Sequence, residues 1–191
     1  MRSQGAFIVM FADEALAKHG RRGKFSLLDW RSRRIKRVVR SSFAAETLSL
    51  ADANDAVQHL RGCLLDVLDS RVNLRRWKEH VDRWPATLVT DARDCHDHLA
   101  RDTSAQPAQR SLLFDLAEIR QSINEQHTRI RWTATENMLV DCMTKQLDPG
   151  HFMKILKAGE WSIERDAELI NARTVKRAPA GAANDSAGST P

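Results

Sequence analysis

The sequence predicts an α/β protein, a mixed sheet with helices on its faces. Two observations carry that expectation. Short apolar runs rich in strand formers alternate with longer stretches whose apolar residues recur at helical spacing. They fall in the order strand, strand, long helix, strand, helix, helix, strand, helix.

Ala6–Ala12, AFIVMFA, is a short β-rich run suited to a well-buried strand. Asp13–Gly23 is charged and carries two glycines, which suits a loop. Lys24–Arg31, KFSLLDWR, is the second strand. A basic stretch, RSRRIKRVVR, follows from Arg31 to Arg40 and leads to Ser42 as an N-cap, with Ala45 and Glu46 in the first turn or so. From Phe43 to Leu68 the apolar residues Leu48, Ala51, Val57, Leu60, Leu64 and Leu68 keep helical spacing. The charged run Asp69–Pro85, with Trp77, Val81 and Trp84, reads as a short helix and a connection. Ala86–Asp91, ATLVTD, is a strand that ends in a carboxylate, and Ala92–Arg101 a short helix. Thr103–Gln109 holds Pro107 and reads as a loop. Arg110–Gln126 places Leu112, Leu113, Leu116, Ile119 and Ile123 on one helical face. Thr128–Ala134 alternates as a strand, and Thr135–Lys145 reads as a helix that Thr135 caps. Past Ala158 the signal weakens, and the Ala-, Gly-, Ser- and Pro-rich run 173–191 reads as disordered.

A chain of 191 residues is long enough for one domain and a tail, and 42% hydrophobic residues suffice for a core. The net charge of +5 fits a polyanionic partner without requiring one. Cys63, Cys95 and Cys142 form no C-x-x-C pair, which argues against a disulfide framework and for a reducing setting, cytoplasmic or nuclear. No run of 18 apolar residues exists, so no membrane span is expected, and the first residues lack the pattern of a secretory signal.

Four local motifs, in order, resemble one family. The chain reads RSQGAFIVM from Arg2, SLLDWRSRRIKRVVRSSFAAE from Ser26, LVTDAR from Leu88 and MLVDCMTKQL from Met138. These are similar to RSTSGYVFFL, ISWKSKKQ with LSSTEAEY, a strand ending in CDN, and LADIFTKPL, the motifs of the ribonuclease H domain in copia-type retrotransposon polyproteins. The basic loop and the SS-x-AAE run are the most specific part. The resemblance covers about Met1 to Asp148, leaving 149–172 as a C-terminal extension before the tail. There are departures. Ala92 stands where the family has Asn, Gln146 where it has Pro, AQPAQRSLL replaces a basic, histidine-bearing stretch, and the region 69–85 is an insertion or a variant. The family's first strand, with its D-A-D or D-A-x-W motif, lies upstream of the RSQG-like run and has no counterpart in these residues.

The resemblance implies a ribonuclease H-like sheet that lacks its first, central strand. The strands on either side of it are then left without a shared neighbour. It further implies cleavage of the RNA strand of RNA–DNA hybrids, in a full-length polyprotein context, by two magnesium ions about 4 Å apart, with manganese as a substitute. Magnesium is a hard ion that takes oxygen ligands. By resemblance Glu46 is the carboxylate of the long helix, Asp91 that of the strand end and Asp141 that of the last helix. The residues agree on placement: Asp91 follows an apolar strand, Glu46 sits early in an Ala- and Leu-rich helix, and Asp141 interrupts the apolar run MLVDCM. Each also has a plainer reading: Glu46 as a helix N-terminal acid, Asp91 as a helix cap and Asp141 as a solvated side chain. With a fourth carboxylate absent, the isolated chain is expected to be inactive, and a catalytically dead relic that binds nucleic acid weakly is the alternative. Asp13 lies at the wrong end to replace it.

Arg31, Arg33, Arg34, Lys36, Arg37 and Arg40 are candidates for contacts to the hybrid's phosphates, a solvated loop or a localisation patch being the alternatives. The Cys95-His96-Asp97-His98 cluster has neither zinc-finger nor facing-helix spacing and is not read as a zinc site. Trp30 and Trp132 are expected in the core.

Overall fold

A computed structural model of the chain describes residues 3–68, 73–101 and 109–164. The expected disorder of 173–191 and most of the loop 103–109 fall outside the described residues. The fold class is α/β, with five strands among the described residues: β1 (Gln4–Ala12), β2 (Gly23–Arg34), β3 (Ala86–Thr90), β4 (Thr128–Trp132) and β5 (Glu160–Trp161). The α-helices are α1 (Glu14–Ala17), α2 (Ser42–Leu68), α3 (Arg93–Ala100), α4 (Leu113–Glu125), α5 (Asp141–Thr144) and α6 (Gly150–Ala158). No helix among the described residues is long and apolar enough to cross a membrane.

The strands form two sheets rather than one. β1, β2 and β5 make an antiparallel sheet in the order β1-β2-β5, and β3 pairs with β4 in parallel. Parallel pairing needs a long crossover, which α3 and α4 supply. The two sheets share α2, which packs on both β1 and β3. One core cluster joins Ala44, Leu48 and Leu50 of α2 to Leu88, Cys95, Leu116 and Ile119. A second cluster, built on Leu16, Leu139, Trp161 and Ile163, takes Ile8, Met10 and Val89. The run after residue 148, read from sequence as an extension, therefore supplies α6, β5 and part of a core.

Several expectations need correcting. The stretch after Asp13 is not a plain loop. Asp13 caps α1, accepting hydrogen bonds from the amides of Leu16 at 2.9 Å and Lys24 at 2.8 Å, which ties α1 to the start of β2. β2 runs on to Arg34, so half of the basic run is strand. The hydroxyl that caps α2 belongs to Ser41, accepting from the Ala44 amide at 3.1 Å; Ser42 is already helical, and Glu46 lies beyond the first turn. The run 135–145 is broken into a 3-10 turn at Thr135–Asn137 and the short α5, with Ala134 rather than Thr135 at the cap position. Leu113 turns outward at 39% exposure, and the buried stripe of α4 is Leu116 and Ile119, continued from Leu112. The segment Leu74–Arg83 is a kinked 3-10 helix whose Val81 is buried.

Candidate functional site

β3 ends beside the N-terminal part of α2, and α5 closes in from the other side. This brings Glu46, Asp91 and Asp141 to one end of a cavity of about 1040 Å³ that lies between the two sheets. Each carboxylate rides on a different element, and the fold alone joins them. The proximity is electrostatic. Burial pushes the Glu46 carboxyl above its ordinary range, and the negative charges of Asp91 and Asp141 push it further. Lys145 opposes them. Its ammonium sits 2.8 Å from both oxygens of Asp141, one helical turn away on α5, and responds to the charges of Asp91 and Glu46 as well.

Asp91 caps nothing, because the hydroxyl of Thr90 takes the Ala92 amide at 3.1 Å and α3 has no side-chain cap. Asp141 is not a solvated side chain, being only 16% exposed. The donor set is chemically right for a hard divalent cation: three carboxylates and no sulfur. Among the described residues, no group of three or more acidic, His or Cys side chains is drawn together tightly enough to hold an ion in the present arrangement. Lys145 is the cation beside the three carboxylates and partly balances their charge.

Sequence reading missed Lys145, whose pairing with Asp141 is a local i,i+4 contact but whose link to Asp91 and Glu46 depends on long-range placement. It also misplaced two tryptophans. Trp132 is 37% exposed, donates its Nε1 hydrogen to the Asp91 carbonyl at 3.0 Å, and carries the Arg93 guanidinium over its ring at 5.5 Å. It is a flat, partly open surface beside the acidic cluster, not a core residue. Trp30, opposite Ile8 in the β1–β2 pairing, is 61% exposed.

The basic run divides. Arg33 forks onto Asp52 of α2 at 2.8 Å, and Arg37 bridges Asp115 at 2.8 Å and the Ser111 carbonyl at 2.7 Å. Arg31 lies over the ring of Phe7 at 5.2 Å. Arg34, Lys36 and Arg40 are exposed, and their side chains make no ion pair among the described residues. The strand end they leave from adjoins α5: Ser32 donates to the Met143 carbonyl at 2.7 Å, and Gln4 to the same carbonyl at 3.2 Å. Basic strand end and acidic cluster are thus neighbours. In the Cys95–His98 cluster, Cys95 is wholly buried against the Thr47 hydroxyl, and His98 packs edge-on to Phe43. Asp13 follows the C-terminal end of β1 and is tied by its hydrogen bonds to α1 and the start of β2.

Comparison of the chain with protein-family models, with curated proteins and with solved structures gives no match.

Proposed function

We propose that the chain is the carboxylate-bearing part of a ribonuclease H-type endonuclease of copia-type retroelement ancestry, which in its full-length context cleaves the RNA strand of RNA–DNA hybrids. The observation that carries this reading is the meeting of Glu46, Asp91 and Asp141. They lie 45 and 50 positions apart, on α2, after β3 and on α5, and gather at one end of one cavity. The order of elements and the two half-sheets on a shared long helix support a ribonuclease H-like fold with its central strand unfilled.

Glu46, Asp91 and Asp141 would hold magnesium or manganese. Bound there, the ion supplies Lewis-acid charge and a water of lowered pKa. The protein's own groups do the rest. Arg34, Lys36 and Arg40 attract the phosphate backbone, with an affinity that falls as salt rises. Trp132 offers its ring to a sugar or base next to Asp91. With an ion held there, Lys145 would no longer be needed to balance Asp141 and would be free to pair with a phosphate oxygen.

A second reading is a nucleic-acid binder that does not cut. The bidentate hold of Lys145 on Asp141 favours it, since the cluster is already partly neutralised without a metal. One assay separates the two. The protein in its full-length context is incubated with magnesium and a hybrid labelled on its RNA strand. Cutting that Asp91→Asn abolishes establishes the endonuclease. Hybrid binding without cutting, unchanged by Asp91→Asn, establishes the binder. Neither binding nor cutting rejects both.

A further inference from the structure

β2 meets β5 only at Gly23 and Lys24 and continues beside β1 to Arg34. Alternate residues of a strand share a face. Trp30, Ser32 and Arg34 therefore stand in one row, opposite Ile8, Ala6 and Gln4 of β1. Ser32 and Gln4 both donate to the Met143 carbonyl, so this is the face on which α5 lies. Trp30 and Arg34 flank that contact on its two sides, each about 7 Å along the strand from Ser32 at roughly 3.4 Å per residue. The helix that lies there begins at Asp141 and leads into Lys145, whose side chain is 54% exposed. Arg31 and Arg33 belong to the opposite face, where Phe7 and Asp52 engage them.

We propose that Trp30 and Arg34 form a stacking subsite for an unpaired base of a nucleic acid, next to the acidic cluster and separate from Trp132 on β4. Trp30 is a large flat ring, mostly in solvent, and no aromatic ring or guanidinium lies over it among the described residues. Paired bases have their faces covered by their neighbours, so a duplex offers such a ring only its backbone and groove edges. A base with a free face is an unpaired one, and its stacking on an aromatic side chain tolerates any sequence.

Charge selects a polyanion. Arg34 makes no ion pair among the described residues, and Lys145 adds a second, partly exposed cation on the same face. The one carboxylate of β2, Asp29, accepts the amide hydrogen of Trp30 at 2.8 Å. That bond withdraws the amide from an added β-strand and disfavours a protein strand as the occupant. The subsite deepens the reading above and rests on it for the class of polymer. Its consequence is a preference: a hybrid that ends in a single-stranded extension is held better than a blunt one.

The probes are a blunt RNA–DNA hybrid, the same hybrid with a short single-stranded extension, and the hybrid with an abasic extension of equal charge. Extensions are placed at each strand end in turn. Fluorescence anisotropy follows their binding to the full chain in chelator, so that no cutting intervenes. The expected result is about tenfold tighter binding of the base-bearing extension than of the abasic one, at one strand end or more. Trp30→Ala erases that difference without moving the thermal midpoint, and Trp30→Phe keeps most of it. Arg34→Ala weakens both extensions alike and flattens the salt dependence. A chain that holds the blunt hybrid but treats the two extensions alike overturns the subsite and leaves the hybrid reading standing. A preference for bases in a chain that does not hold the blunt hybrid supports the subsite and overturns the hybrid reading. Binding of no probe overturns both. A preference that survives Trp30→Ala overturns the subsite. So does self-association that Trp30→Ala breaks, or a preference that emerges only after residues 165–191 are removed, because each names another occupant of this face.

Discussion

Glu46 bears an electrostatic cost that the polypeptide relieves only in part. Burial and the charges of Asp91 and Asp141 raise its pKa, and Lys145 counters them. A carboxyl whose folded pKa lies above its unfolded one favours the fold at low pH, and loses that contribution as pH rises through the folded value. At neutral pH ionised Glu46 therefore weighs against stability. Glu46→Gln is expected to raise the thermal midpoint at pH 7 in chelator, with the gain shrinking as pH falls toward the ordinary glutamate value of 4.5. A lower midpoint at pH 7 would contradict this. The three carboxylates were legible in the sequence because each sits in a local motif. Lys145 stands one turn from Asp141, but only its electrostatic link to Asp91 and Glu46 makes it part of the cluster, and Trp132 meets Asp91 across elements; neither link is a local pattern. Trp30 was misread for a related reason: aromatic β-formers mark strands, but only the covering layer decides which strand positions are buried.

At the scale of elements, two junctions hold the architecture. Asp13 joins α1 to β2 through the amides of Leu16 and Lys24, and those hydrogen bonds hold its carboxyl below the usual range. A depressed carboxylate stabilises the fold above its unfolded pKa, and that contribution is lost as pH falls through the folded value. Asp13→Ala is thus expected to lower the thermal midpoint at pH 7 and to cost progressively less below about pH 4. A deficit that does not change with pH would deny the carboxylate this role.

Arg61 is the second junction. Buried at 3% exposure, it donates to the carbonyls of Val81 and Gln126, each at 2.7 Å, and to the hydroxyl of Thr128 at 3.3 Å. It pins α2 to the 3-10 segment and to the start of β4, and burial lowers its pKa to about 10. Arg61→Leu strands two buried carbonyls and is expected to cost about 3 kcal/mol, roughly 6–12 °C in thermal midpoint. A loss under about 1 kcal/mol would show that water replaces it. Sequence periodicity found the four longer strands and the long helix, where apolar residues repeat. It did not see Arg61 as core, since a charged residue inside a helix reads as surface. Nor did it see β5, whose two residues are too few for a pattern and are fixed by pairing with Gly23 and Lys24.

The whole molecule is two small sheets on one long helix, with a gap between them and the acidic cluster at one end of the gap. The sequence foretold the α/β class, but as one mixed sheet. The split into separate antiparallel and parallel sheets is a tertiary outcome that local patterns do not encode. The most direct measurement on the central claim is manganese binding followed by electron paramagnetic resonance. The chain and Asp91→Asn are titrated with manganese at moderate salt. The account predicts saturable binding by the chain, weakened at least tenfold in Asp91→Asn and strengthened in Lys145→Ala, where the competing ammonium is gone. Manganese that stays free in all three proteins, or binds all three alike, would contradict it.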